Sequence, residues 1–87
     1  MPNDIEVTID ERSKTHGDFL YVAGIAQGIK ILLRTGPSWN EMNHQQREAL
    51  EMVASKLARA VSGDHNEIDH LFDTIGYCRL YMKAIDS

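Results

Sequence analysis

The sequence predicts an all-α fold: a three-helix unit over residues 15–87 that completes a helical bundle by dimerisation, with a short N-terminal arm over residues 1–14. Three observations point there. From Phe19 onward, apolar residues recur at three- and four-residue spacing in blocks separated by Gly36-Pro37 and by Ser62-Gly63-Asp64, the period of helices that bury one face. The brief period-two alternation of Ile5, Val7 and Ile9 has no partner strand elsewhere, and an unpaired strand is not stable by itself. Finally, 87 residues make one domain, near the size at which a single core supplies only about 3–5 kcal/mol, so self-association is a natural supplement.

The arm is polar and mildly acidic, and reads as a segment ordered against a neighbour. Thr15-His16-Gly17-Asp18 supplies a helix start, because Thr and Asp oxygens accept hydrogen bonds from the first free amides. The first helix then runs to about Arg34, with Phe19, Val22, Ala26, Ile29 and Leu33 on one face and Ile25 and Leu32 beside them. Gly24 and Gly28 lie on another side. Each costs a helix roughly 1 kcal/mol against alanine, which points either to close approach of a second backbone or to a tolerated, solvated face. Trp39, in the loop after Gly36-Pro37, reads as a plug over the core.

Asn43 followed by Gln46 is a capping-box pattern that starts the second helix near His44. In that helix Leu50, Val53, Ala54, Leu57 and Val61 gather on one side, opposite Glu48, Glu51, Arg59 and Ser62. Ser55 and Ala58, beside the acidic stripe, are small enough to admit another helix. Gly63 is expected to close the segment as a left-handed cap. The third helix begins within residues 66–69 and continues to about Ile85, with Leu71, Ile75, Cys78, Met82 and Ile85 as its main apolar face. A second stripe holds Asp69, Asp73, Tyr77, Leu80 and Ala84. A helix apolar on two sides is usually covered on two sides, which leaves Asp73 partly buried and in need of a cation or several donors.

The net charge of −4 and a pI near 5.4 provide no basic footprint for gripping nucleic-acid backbones, so direct nucleic-acid binding is not expected. Cys78 is the sole cysteine; it permits no intrachain disulfide and reads as a buried small hydrophobe, which suits a reducing cytoplasm. No run approaches the roughly 18 apolar residues of a membrane span, and the N-terminus lacks a signal pattern. A cytoplasmic protein without a membrane partner is the expectation.

Candidate chemistry centres on four carboxylates. Glu48 and Glu51 share one helix face, as do Asp69 and Asp73, because residues three and four apart project together. If those faces meet, they form an oxygen-rich site suited to Mg²⁺ or Mn²⁺; if not, they are ordinary surface charge. Asp69 has a competing role as a first-turn acid favoured by the helix dipole. In the metal case Lys56 and Arg59 neutralise phosphate charge, and Glu48 or Glu51 orients a water as general base. His70 reads as an exposed or capping histidine, or as a ligand or general acid. No HxxxH or HExxH spacing links the histidines, so zinc is not expected.

The blocks THGDF at residues 15–19, REALEMVASKLARAVSGD at 47–64 and DHLFDTIGYCRL at 69–80 resemble a small phage- and prophage-encoded family of unknown function. Its members show an HGDF start, a QREAL–M–K–AR–L–G helix and a DHW-x-D-I-A-G-Y helix; the likeness covers about three quarters of the chain. That family is in turn similar to the MazG-like all-α nucleoside triphosphate pyrophosphohydrolases, which bind Mg²⁺ through an ExxE pair and an ExxD pair in a bundle completed by dimerisation. Glu48 and Glu51 match the first pair and Asp73 the terminal acid of the second. His70 stands where the second pair has its glutamate, with Asp69 beside it. The resemblance implies a Mg²⁺-dependent hydrolase in which Glu48, Glu51, Asp69 and Asp73 hold metal and Lys56 and Arg59 contact phosphate. Two other readings stand beside it: a non-catalytic acidic helical protein that covers a host or defence complex, and a nucleotide sensor without turnover.

Overall fold

The helix starts in the computed structural model, which describes residues 14–85, are set by local devices written in the chain. Residues 14–16 form one helical turn. Gly17 then takes φ +89°, a conformation that costs only glycine little, and the chain re-enters helix one residue later. Asp18 caps α1 (Phe19–Leu33), its side chain accepting from the Leu20 amide at 2.9 Å. After Gly36-Pro37 a short 3₁₀ turn, Trp39–Glu41, leads to α2 (His44–Ser62). Both halves of the capping box are made: Asn43 accepts from the Gln46 amide at 2.8 Å, and the Gln46 side chain accepts from the Asn43 amide at 2.9 Å. The turn before α3 (Ile68–Ile85) is held by Asp64, which accepts from the Asn66 amide. The chain is all-α among the described residues; the expected arm and its Ile5–Ile9 alternation lie almost wholly outside them.

Helix α2 is the middle of a layer, with α1 and α3 packed antiparallel on opposite flanks. The register on one flank is set by Arg34 against Glu51 and by the Asp64 amide donating to Thr15 O. On the other it is set by Lys56 against Asp73 and by the Asn43 side chain donating to Ala84 O. The interior is made of small residues: Val22 and Ala26 of α1 close on Ala58, while Ala49, Ala54 and Ala84 are also buried. Small side chains let helix axes approach, as expected for Ala58. They also bury little apolar area per residue.

Larger apolar side chains are left outside. On α1, Val22 and Ala26 face inward as the periodicity predicts, but Phe19 is 78% exposed. On α2, Ala54 is buried whereas Val61 is 72% exposed. The correction is greatest on α3. Its predicted main face, including Leu71, Ile75, Met82 and Ile85, is rotated off the α2 contact and largely exposed, and Cys78 is exposed rather than buried. The helix packs instead through His70, Tyr77, Tyr81 and Ala84. The difference is one of rotation: in this orientation Lys56 meets Asp73, Asn43 donates to Ala84 O and His70 is buried against Thr15, while the Leu71 stripe faces outward.

Gly63 is also corrected. Its φ of −114° is not left-handed; glycine is required because a Cβ there would collide with the backbone of Thr15, His16 and Gly17. At Gly24 and Gly28 a Cβ would meet nothing, so within one chain they lie on an open face. No helix among the described residues is long and apolar enough to cross a membrane.

Candidate functional site

The four candidate carboxylates do not share one place. Asp73, on the second turn of α3, meets Lys56 of α2 at 2.9 Å, with the lysine side chain 13% and the aspartate side chain 48% exposed. The hydrogen bond from Lys56 and its charge lower the Asp73 carboxyl below the usual carboxylate range; desolvation opposes this, and Arg59 and His70 add smaller lowering effects. Glu51 turns to the other flank, where it accepts from Arg34 of α1 at 2.9 Å. Glu48 is exposed near the opposite end of α2, and Asp69 is exposed in the first turn of α3, where the helix dipole favours it.

Helical rise turns these placements into distances. Lys56 marks the level of Asp73, so Glu51 lies about 7 Å and Glu48 about 12 Å further along the axis, at 1.5 Å per residue. A divalent oxygen site needs ligands within about 2.6 Å of one point. Among the described residues, no three His, Cys, Asp or Glu side chains gather in a way that could hold an ion. The set Glu48, Glu51, Asp69 and Asp73, as placed here, therefore does not fit Mg²⁺ or Mn²⁺. The phosphate-contact residues are similarly committed: Lys56 engages Asp73, and Arg59 in the last turn of α2 adds to the field on the same carboxyl.

Sequence reasoning missed a junction at the end of the layer where the motif blocks converge. His70 is only 2% exposed, neither a surface group nor a cap. Its Nε2 lies 3.2 Å from Thr15 O, and a carbonyl only accepts, so this nitrogen carries the proton when the bond forms. The same carbonyl accepts from the Asp64 amide at 2.8 Å, and the His70 ring lies tilted against His16 with centroids 5.3 Å apart. THGD, SGD and DH thus meet as one latch closing the two helix hairpins. The signal was present in the sequence as small and histidine residues at all three helix ends, but their partners lie up to 55 positions apart.

Two other features flank the acidic groups. An open cavity of about 460 Å³ is lined by His44, Gln45, Glu48, Tyr77, Leu80 and Lys83. Beside the start of α2, Arg47 lies 5.6 Å from the centre of the Trp39 ring and donates to the carbonyls of Trp39 and Asn40, both at 3.0 Å. Trp39 is thus half-buried under an arginine that also ties down its loop. Comparison of the chain with protein-family models, with curated proteins and with solved structures found no match.

Proposed function

We propose that this chain is a non-catalytic, acidic helical interaction protein. The observation that carries the reading is the dispersal of the carboxylates: Asp73 is neutralised by Lys56 and Glu51 by Arg34, while Glu48 and Asp69 stand apart in solvent. With several basic side chains engaged internally and a net charge of −4, the polar side favours a basic surface on a partner, such as the nucleic-acid-binding patch of a host or defence complex.

A nucleotide-binding role of the kind implied by the MazG-like resemblance is the second reading. It is favoured by the cavity beside Glu48, whose volume falls in the range of small-molecule pockets, with Tyr77 available for stacking. The discriminating experiment is a panel of NTPs and dNTPs with Mg²⁺ or Mn²⁺, followed for pyrophosphate release and for thermal stabilisation. The interaction reading expects neither. Stabilisation abolished by Tyr77→Ala, without release, would select the nucleotide binder. Pyrophosphate release lost in Glu51→Ala would replace both with the hydrolase.

A further inference from the structure

We infer that one broad side of the three-helix layer is the face on which a second copy of this chain packs, giving a double layer of six helices. The antiparallel registers fix which side chains share each side. With α1 and α3 on opposite flanks of α2, residues about a quarter-turn from the packing direction point to one or other broad side. On one side lie Ile25 and Leu32 of α1, Leu57 and Val61 of α2, and Leu71 and Met82 of α3. An apolar groove between α2 and α3, lined by Leu50, Val53, Cys78, Tyr81 and Met82 among others, opens on the same side. Glu48, Arg59, Asp69 and Asp73 lie on the other.

A second copy is the occupant for two reasons. The first is area: the six large apolar side chains named for this side are 37–72% exposed and together leave on the order of 600 Å² uncovered, so that two copies bury about 1,200 Å², the lower end of the range for specific interfaces. The second is charge. An identical chain brings the same net charge of −4, so two copies can approach closely only through a face without like charges. Among the described helical residues, the charged groups occupy the opposite side and the flanks. A two-fold axis through this face requires no complementary partner surface, since an apolar stripe matches itself.

The test measures mass in solution by sedimentation over a wide concentration range, together with the reactivity of the Cys78 thiol. The expected result is a species of twice the 9.8 kDa chain mass, with Cys78 slow to react. Leu32→Glu combined with Val61→Glu, both at exposed positions that leave helix content unchanged, yields monomers with a fast-reacting Cys78. Leu80→Glu, on the opposite side, leaves mass and reactivity as in the unaltered chain. A wild-type monomer at all concentrations overturns the inference, as does a dimer in which Cys78 remains freely reactive or which survives the double substitution. Nucleotide assays bear on the function proposed above and not on this face, so the two can fail separately.

Discussion

Replacing Gly63 with alanine adds one methyl group at a helix end, where a surface substitution normally matters little. Here the added Cβ would fall on the Thr15 carbonyl oxygen and against the backbone of His16 and Gly17, none of which can rotate away as a side chain could. That carbonyl accepts from the Asp64 amide at 2.8 Å and lies 3.2 Å from His70 Nε2, so moving it loosens both bonds. Overpacking of about 1–3 kcal/mol, plus about 1 kcal/mol for each weakened bond, gives a destabilisation of roughly 3–5 kcal/mol. At about 4–8 °C per kcal/mol for a chain of this size, the melting temperature falls by more than about 10 °C. Gly24→Ala is the control, because a Cβ there meets nothing and alanine is the better helix former by about 1 kcal/mol. Thermal melts followed by circular dichroism at matched concentration should therefore move in opposite directions for two chemically identical changes. A Gly63→Ala protein as stable as the parent would show that the junction is not tightly closed, and the latch assigned to His70 would fall with it.

Two further outcomes are expected. Because Lys56 lowers the Asp73 carboxyl, the pair contributes stability that is present above the ordinary carboxylate pKa and is lost as pH falls through the lowered value of the folded state. An NMR titration should find the Asp73 midpoint below the usual range in the parent and returned toward it in Lys56→Ala; an unchanged midpoint would deny the pairing. Arg47→Ala removes the cation above Trp39 and both donors to the 3₁₀ turn, costing about 1–3 kcal/mol. Tryptophan emission should shift to longer wavelength as the ring gains water, and an unshifted spectrum would mean that Arg47 does not shield it.

Local features were legible in the sequence because each depends on residues within a few positions of one another. The Asn43–Gln46 capping box, the Asp18 start of α1 and the burial of Val22 and Ala26 all follow from spacing along a single helix. Features that depend on how one helix rotates against another were not. Periodicity identified the Leu71–Met82 stripe of α3 as apolar but carried no information on which way it would face, since the polar stripe opposite held Tyr77, Leu80 and Ala84 and was a workable packing surface too.

The same division governs the candidate site. Spacing alone placed Glu48 with Glu51 and Asp69 with Asp73 on shared helix faces, because helical geometry needs no partner to do so. Whether those pairs would meet was decided by the antiparallel register, which sets Lys56 opposite Asp73 and Arg34 opposite Glu51 and leaves the acids at different levels of the layer. His70 and Gly63 show the converse: read from the linear chain as a surface or ligand histidine and a left-handed cap, they instead pack against Thr15, a residue some fifty positions away. A chain's own pattern determines helices and their stripes; contact between distant residues, which no local period encodes, determines what those stripes enclose.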